Sequence, residues 1–500
     1  MSNNVINTRQ GDTNYSVKYI LFICGVAALG GLLLGYDTAV ISGAINPIRD
    51  HFQLSSIGVG WAVSNVAIGC IIGAFWSGPL SRKYGRKKSL IFSALLYTIS
   101  AAGSALATSF FWFVIFRMIG GLAVGIASSV SPMYMSEVSP KQIRGRAVGM
   151  QNFAIVGGQV VIFIVNFSIA RGMSADWLND VGWRIMIGSE TIPCILFMIF
   201  SLLIPESPRW LMMMNRKEEA KQVLIKIFRD EGHAATLMQQ IDASNKECES
   251  KSVAEQKRSL YKEKLFWMIV IIACGVSIFG QASGVNVFLY YAPVILERVT
   301  GSNDTALFLT IFIGITQLIG TTTSAFLMDK VGRVPLLKFG SLGSAAGLLL
   351  TSYFLYQSHG LTGEAAINMG YWTLGGMAVF MICFSLSWAL GAWLVVSEMF
   401  PNRMRSVGMG MAIGAVWVSN FIIGLAFPVM NDSVYLNTHF KGAFPMWVFA
   451  VCMILAYLFV RRYVPETKGI PLEEMEQCFI EKQQQYGYKK DQEVEDSVHI

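Results

Sequence analysis

Long hydrophobic runs separated by short polar segments extend along most of the chain. A run of roughly 20 apolar residues is long enough to cross the hydrocarbon core of a bilayer as a helix. Twelve such runs occur, six before the polar stretch 205–264 and six after it, and they start near positions 19, 59, 89, 112, 148, 184, 267, 305, 335, 371, 405 and 445. The pattern predicts an all-α membrane protein with twelve transmembrane helices.

The polar stretch between the two sets of runs has a pattern of its own. Apolar residues there recur at helical spacing, for example Val223, Leu224 and Ile227, among many charged residues. This spacing indicates short amphipathic helices. We therefore divide the chain into an N-terminal segment, a first six-helix bundle, a helical linker, a second six-helix bundle and a C-terminal tail, with the limits 1–18, 19–204, 205–264, 265–463 and 464–500.

Three short charged motifs occur once in each half and in the same order. The pairs are Gly85-Arg86 with Gly332-Arg333, Glu137 with Glu398, and Pro205-Glu206 with Pro465-Glu466, at offsets of 247, 261 and 260 residues. Similar offsets for unrelated motifs indicate a duplicated six-helix unit. Many secondary transporters consist of two such repeats with a binding site between them.

Composition and loop charge add an orientation to this picture. Hydrophobic residues make up 53% of the 500 and charged residues 14%, which is too apolar for a soluble protein. Basic residues gather in alternate loops, including those with Arg86, Arg144 and Arg333, and such loops favour the cytoplasmic side. We expect a multi-pass protein of the cell (inner or plasma) membrane with both termini and the linker cytoplasmic. The net charge of +7 then reflects topology and lipid contact, and no nucleic-acid partner is expected.

The sequence carries no pattern of catalytic chemistry. We find no nucleotide fingerprint, phosphate loop or hydrolase motif, and the eight cysteines lack metal-ligand spacing. We therefore expect no enzyme activity, no cofactor and no metal site.

Three ionisable residues lie inside the predicted spans, namely Asp37, Arg117 and Glu190. Such a residue costs at least roughly 2.5–3.5 kcal/mol, so it is expected to have a partner or a water path. A carboxylate that is protonated when buried and ionised when an arginine approaches can load and release a proton. We interpret Asp37 as such a coupling group. The alternative is a fixed ion pair between Asp37 and Arg117 that only stabilises the bundle.

The seventh predicted span carries polar side chains at Gln281, Asn286 and Tyr290. On a continuous helix these three residues would spread along one broad face. Amides donate and accept hydrogen bonds, and aromatic rings such as those of Trp388, Trp393 and Trp417 cover the C–H side of a sugar ring. The pattern is typical of a site for a small neutral sugar or polyol.

Several longer motifs together resemble the sugar porter family of the major facilitator superfamily. They are the run from Gly31 to Gly43, which contains Gly35-Tyr36-Asp37-Thr38, then Pro205-Glu206-Ser207-Pro208-Arg209, Gly284-Val285-Asn286 and Pro465-Glu466-Thr467-Lys468-Gly469. The resemblance covers about residues 15–470. Within the family the chain looks most similar to bacterial xylose:proton symporters, and it is also similar to animal glucose facilitators.

The resemblance implies alternating access between two six-helix halves, with protons as a second partner. It implies that Asp37 carries the proton and that Arg117 and Glu190 are its partners. It also implies cytoplasmic networks that close the outward-facing state, formed by Arg86, Glu137, Arg144 and Glu206 in the first half and by Arg333, Glu398, Arg405 and Glu466 in the second. The sugar contacts carried over from the family are Gln159, Gln281, Asn286, Gln317, Trp393 and Trp417, with Asn152 at a further position where the family has a glutamine.

The departures from the family pattern leave the substrate open. Gly280 and Val416 stand where xylose symporters have amides, and Gln317 replaces an asparagine. We expect a monomeric, proton-coupled importer of a pentose or hexose, for which a hexose-sized ring suits the site at least as well as xylose. The alternatives are an inositol or polyol:proton symporter, a passive sugar facilitator and a transporter-like sugar sensor.

Overall fold

A computed structural model describes residues 15–140, 142–249, 264–401 and 404–469. The described chain is helical throughout, with short connections. The first half contains α1 to α6, which are Val17–His51, Ser56–Tyr84, Arg86–Ala105, Phe110–Val138, Arg144–Ala170 and Ala175–Leu203. The linker contains α7 to α9, which are Pro208–Met213, Lys217–Phe228 and Glu231–Glu249.

The second half contains α10 to α17. These helices are Lys264–Ala282, Val285–Thr300, Asn303–Val331, Arg333–Gln357, Glu364–Met399, Arg405–Asp432, Val434–Phe440 and Phe444–Tyr463. Helices α10 and α11 together form one span, which breaks at Gly284, where φ is +83°. The other short helix of this half, α16, lies between the spans α15 and α17.

Eleven segments of the described chain are long and apolar enough to cross a membrane. The twelfth predicted span is α3, a 20-residue helix that begins with Arg86, Lys87 and Lys88 and is less apolar than the others. It lies against α4, so it completes the first six-helix half. The prediction of an all-α protein with twelve spans in two halves is confirmed. The limits of the five segments stay predictions, and their outermost parts, 1–14 and 470–500, lie outside the described residues.

Glycine brings neighbouring helices of the first half into backbone contact. A Cβ added to Gly158 of α5 would lie 2.2 Å from the carbonyl oxygen of Leu32 in α1. Similarly, a Cβ on Gly73 of α2 would lie 2.2 Å from the carbonyl oxygen of Leu122 in α4. Small residues permit such close packing where the bilayer supplies no hydrophobic force between helices.

Side-chain hydrogen bonds join the two halves at one end of the bundle. We call the end that carries Arg86 and Arg333 the linker end, and the other the opposite end. At the opposite end Asn46 Nδ2 donates to Glu297 Oε2 over 2.6 Å, and Ser56 Oγ donates to Asp432 Oδ2 over 2.9 Å. Both bonds join the first half to the second. Among the described residues no ion pair joins the halves at the linker end. The polar bonds at the opposite end therefore hold that end closed.

The linker packs on the first half. Trp210 Nε1 donates to the carbonyl oxygen of Arg82 over 2.8 Å, and the Tyr134 hydroxyl donates to that of Pro205 over 2.9 Å. Leu211 and Leu224 belong to the same buried hydrophobic cluster as the first-half residues around α1 and α4. The linker is therefore an extension of the first half's core.

Candidate functional site

Two of the most deeply buried charges of the described chain form an ion pair in the first half. Arg117 Nη1 of α4 donates to Asp37 Oδ1 of α1 over 2.5 Å, and both side chains are at most 3% exposed. Arg117 Nη2 also lies 3.4 Å from the carbonyl oxygen of Asp37. The remaining guanidinium nitrogen, Nε, is buried and has no hydrogen-bond partner among the described residues. The structure thus brings together two of the three residues predicted for proton coupling.

The third residue, Glu190, is 2% exposed. It lies in a short turn at residues 189–190 that interrupts α6. No hydrogen bond or ion pair between Glu190 and Arg117 occurs in the described part of the chain, and Glu190 Oε1 is buried without a partner. The predicted role of Glu190 as a partner of Arg117 therefore has no direct contact in this conformation.

A small cavity connects the ion pair to the second half. Its volume is about 20 Å³, which is room for about one water molecule. Asp37 and Arg117 line it from the first half, and Tyr290, Trp417 and Asn420 line it from the second. The Tyr290 hydroxyl lies 3.3 Å from the Asn420 amide nitrogen. A polar space thus joins the charged pair to an aromatic surface across the interface.

The break between α10 and α11 places two predicted substrate residues side by side. Asn286 Nδ2 donates to Gln281 Oε1 over 2.6 Å, across the turn at Gly284. The expectation of a continuous helical face through Gln281, Asn286 and Tyr290 is wrong, because the left-handed turn interrupts the helix between the first two. Discontinuous spans commonly form the binding sites of transporters.

The other predicted substrate residues differ in their surroundings. Gln159 and Gln317 are 3% and 6% exposed, and the amide oxygen of each lacks a hydrogen-bond partner among the described atoms. Asn152 is half-buried, whereas Trp393 is 44% exposed. Trp417 packs against the hydrophobic cluster of the first half although it belongs to the second. These positions stay predictions of sugar contact.

The ring of Trp388 cannot contact a sugar in this conformation. It is 1% exposed, and its Nε1 lies 3.0 Å from Ser341 Oγ and 3.2 Å from the carbonyl oxygen of Leu337. Sequence reasoning had grouped it with Trp393 and Trp417 because all three lie in apolar runs. Its contacts make it a helix-packing residue instead.

The sequence analysis missed several buried amides, including Asn420, Asn166 and Gln151. Asn420 lines the small cavity, Asn166 Nδ2 donates to the carbonyl oxygen of Val40 over 3.2 Å, and Gln151 is 5% exposed with neither amide atom partnered among the described residues. Each is an amide inside an apolar span, which was the available signal. Gln151 lies one residue from the predicted Asn152 and is the more buried of the two.

The linker end of the first half carries a closed polar network. Arg86 donates from Nε and Nη2 to the two carboxylate oxygens of Glu137, over 2.9 and 2.7 Å. Glu206 Oε1 accepts from the backbone N–H groups of Arg86, Lys87 and Ser207. Burial raises the pKa of the Glu206 carboxyl, and these three N–H groups offset part of the rise. The Ser207 hydroxyl donates to Glu137 and so connects the two motifs.

The second half repeats the main bonds of this network. Arg333 donates from Nε and Nη2 to Glu398, over 3.2 and 3.1 Å. Glu466 accepts from the backbone N–H groups of Arg333 and Val334, and Thr467 Oγ1 donates to Glu398 over 2.5 Å. Gly85 and Gly332 precede the two arginines with φ of +96° and +102°, where a side chain would be strained.

Arg144 and Arg405 do not join these networks in this conformation. Neither forms an ion pair within the described ranges, and Arg405 is exposed. Arg86 and Ser207 already occupy the Glu137 carboxylate. The expectation that all four charges of each half form one network is therefore wrong for the state closed at the opposite end. In this state Arg144 and Arg405 lie outside the two networks.

A helical bundle in two repeated halves, with buried charges and amides where the halves meet, defines a membrane transporter. The sequence matches the family model described as Sugar (and other) transporter over residues 23–479. The chain therefore belongs to this sugar transporter family, and the resemblance to sugar porters is confirmed. The expectation that the protein is a multi-pass membrane transporter and not an enzyme follows from this membership.

Individual relatives cover almost the whole chain. The D-xylose-proton symporter of Escherichia coli (strain K12) is 38% identical over an alignment of 494 residues, and the alignment covers 93% of this chain and 96% of the relative. The arabinose-proton symporter of Bacillus subtilis (strain 168) is 35% identical over 469 residues, with 93% and 96% covered. A partially occluded inward-open structure of the xylose transporter XylE from E. coli superposes with a TM-score of 0.78 at 35% identity, covering 91% of this chain and 100% of that one.

Proposed function

We propose that this protein is a proton-coupled symporter that imports a neutral monosaccharide by alternating access. The observation that carries the proposal is the buried Asp37–Arg117 pair, which adjoins a cavity shared with Tyr290, Trp417 and Asn420 of the other half. Its relatives named as D-xylose-proton and arabinose-proton symporters support the same activity.

The ion pair supplies the proton chemistry of the cycle. With Arg117 on Asp37 Oδ1, the ionised carboxylate is favoured. When the halves move and Arg117 withdraws, the buried carboxylate favours its protonated form, because burial disfavours an unpaired charge. The adjoining cavity has room for about one water molecule between Asp37 and the second half. Proton loading at Asp37 is thereby linked to the position of the halves.

The substrate is bound between the halves by amides and aromatic rings. Gln159 from the first half and Gln317 from the second have buried amide oxygens that can accept from sugar hydroxyls. Gln281 and Asn286 present a joined amide pair at the break of the seventh span. Trp393, Trp417 and Asn152 complete the proposed site.

The orientation follows from loop charge. The linker end is the cytoplasmic end of an inner-membrane protein with both termini inside. The conformation closed at the opposite end is then inward-facing, which agrees with the inward-open state of the similar XylE structure. In the outward-facing state, Arg144 and Arg405 would pair across the cytoplasmic ends with Glu137 and Glu398.

The test of coupling is the Asp37→Asn variant in proteoliposomes. The amide keeps the size of the carboxyl but cannot take up a proton, so accumulation driven by a pH gradient is lost while counterflow exchange of the sugar remains. Asp176→Asn, an exposed position, serves as the control and keeps both activities. Accumulation against a gradient by Asp37→Asn would contradict the proposal. Wild-type uptake that does not depend on the pH gradient would favour a passive sugar facilitator.

The substrate is tested by competition. A Cβ on Gly280 would meet only the Trp388 ring, at 3.8 Å, so this side of the site has room where xylose symporters carry an amide. This space favours a hexose or an inositol over xylose. We expect either to compete with labelled sugar at least as well as xylose does.

The Gln281→Ala variant removes the main amide anchor and should weaken affinity about tenfold to hundredfold, which abolishes uptake at low substrate concentration. Xylose outcompeting every hexose and inositol, or normal uptake by Gln281→Ala, would refute this site.

A further inference from the structure

A second cavity lies away from the interface between the halves, at the linker end. Its volume is about 340 Å³, more than ten times that of the cavity beside Asp37. Its walls come from the ends of α4 and α5 and from the linker helices α7 to α9. A volume of this size is within the range of small-molecule sites.

The charged residues that line this cavity are not balanced. Arg144 and Arg209 face it, and neither forms an ion pair within the described ranges. Arg144 Nε is buried and has no hydrogen-bond partner among the described atoms. The carboxylate in the wall, Glu137, is already neutralised by two bonds from Arg86 and one from Ser207. The cavity thus has an excess of positive charge.

Part of the remaining lining is apolar. Phe228 of α8 and Leu237 and Ile241 of α9 contribute to it beside polar side chains of the same helix, and the ring of His233 lies against Phe228 with centroids 4.8 Å apart. A lining that combines two guanidinium groups with apolar side chains suits a ligand that has both parts. Guanidinium groups match the oxygens of phosphate in geometry and charge.

The pseudo-symmetry of the protein shows that this cavity is not a by-product of the repeated motifs. The main bonds of the two networks at the linker end correspond, yet Arg405, which corresponds to Arg144, is exposed. Only the first half has the linker helices packed over this arginine in the described structure. The cavity is therefore a feature of one half.

We propose that this cavity binds a small organic phosphate, with Arg144 and Arg209 on the phosphate and the α8–α9 wall on an apolar or ring-shaped part. The phosphate can belong to a soluble ester or to a lipid headgroup. Resting on the proposed transport function, we add that occupancy holds Arg144 in the conformation described here. A ligand that binds one conformation better shifts the population towards it, so the phosphate slows transport.

Binding is measured directly on the purified full-length protein by isothermal titration calorimetry with phenyl phosphate. We expect phenyl phosphate to bind, and phenol or inorganic phosphate to bind at least about tenfold more weakly, because each lacks one of the two parts. Arg144→Gln and Arg209→Gln should each weaken binding about tenfold or more. Leu237→Trp should fill the apolar part and abolish binding, whereas Gln239→Trp, two positions on along the same helix and outside the cavity, should leave it unchanged.

Repeating the titration in nanodiscs distinguishes a soluble ester from a lipid headgroup as the source of the phosphate. Loss of phenyl phosphate binding in discs with phosphatidic acid, but not in discs with phosphatidylcholine alone, assigns the site to a lipid headgroup. Equal binding in both assigns it to a soluble ester. Absence of phenyl phosphate binding, or binding unaffected by Arg144→Gln and Leu237→Trp, overturns the proposal. Because the readout is binding, a failure of sugar transport would not be mistaken for a failure of this site.

Discussion

Glu206 shows how one buried carboxylate connects helix ends at the linker end. It accepts backbone N–H groups at the start of α3 and at the start of the linker, where helices have unpaired donors. Burial nevertheless raises its pKa. The folded protein therefore retains the proton of Glu206 to a higher pH than the unfolded chain does. Between the two pKa values the folded state binds more protons, so stability decreases as pH rises through that interval and is level above it.

The Glu206→Gln variant tests this pH dependence. Glutamine keeps an oxygen that can accept the same N–H groups but has no charge to bury. We expect its free energy of unfolding, relative to that of the wild type, to rise by on the order of 1 kcal/mol as pH increases from the unfolded pKa through the folded one. Thermal unfolding of the purified protein over a pH series measures this. Glu218→Gln, at an exposed linker position, is the control. If the free energies of unfolding of Glu206→Gln and the wild type differ by the same amount at all pH values, burial does not raise the pKa of Glu206.

Sequence reasoning at the residue scale identified polar side chains in apolar runs but not their partners. Asp37 and Arg117 were found because a charge in a span is rare, and they do meet. Trp388 and Trp393 looked equivalent in sequence, yet one is buried against α13 and the other is 44% exposed. Burial depends on how a helix is rotated in the bundle, and apolar runs of membrane helices show little periodicity from which to infer it.

Glycine positions show how the helices of the first half fit together. Gly157 and Gly158 are adjacent in α5, but only Gly158 contacts the α1 backbone. A methyl group at Gly158 would overlap the Leu32 carbonyl, whereas one at Gly157 meets no atom within 4 Å. Substitutions at these two positions therefore distinguish the effect of helix contact from the effect of helix propensity.

We expect Gly158→Ala to lower the free energy of unfolding by about 1–3 kcal/mol, the usual cost of overpacking. Gly157→Ala should be neutral or stabilise α5 by up to about 1 kcal/mol, because alanine favours helix. Thermal unfolding and the yield of monodisperse protein measure both. Equal effects from the two substitutions would show that α1 and α5 do not pack in this way.

Most element starts were well predicted from sequence, and the interruptions were not. Predicted starts near 19, 59 and 89 compare with observed starts at Val17, Ser56 and Arg86, but those predicted near 184 and 371 lie at Ala175 and Glu364. The break at Gly284 was missed because a glycine in an apolar run is more often a packing residue. Its φ is positive, and the ring of Phe449 of α17 leaves no room for a side chain at that point, so both features require glycine there.

At the scale of the whole molecule, the halves are joined at the opposite end by few polar bonds. Glu297 accepts from Asn46, and Asp432 accepts from Ser56. Hydrogen bonds to charged groups contribute about 1.5–3 kcal/mol each. A difference of this size shifts a two-state equilibrium roughly ten- to hundredfold, so single residues can set the resting conformation.

The Glu297→Ala variant should therefore increase the population that is open at the opposite end. Distances between spin labels at Ile57→Cys and Val434→Cys, both exposed at that end, report the opening by double electron–electron resonance. Asp176→Ala, also exposed there, removes a charge without removing either of the two hydrogen bonds between the halves, and it should not change the distances. An unchanged distribution in Glu297→Ala would mean that this bond does not hold the end closed.

The attachment of the linker to the first half also bears on how the protein is made. A ribosome that has reached Glu249 has already synthesised every member of the first hydrophobic cluster except Trp417. The linker helices can therefore dock while the second half is still being translated. The outer parts of α1 and α2, including Val40 and Val59, belong instead to the cluster shared with the second half. In the second half, α11 is a neighbour of α1, and α15 is a neighbour of α2. The second half therefore covers these surfaces in two steps, first when α11 is inserted and later when α15 is inserted.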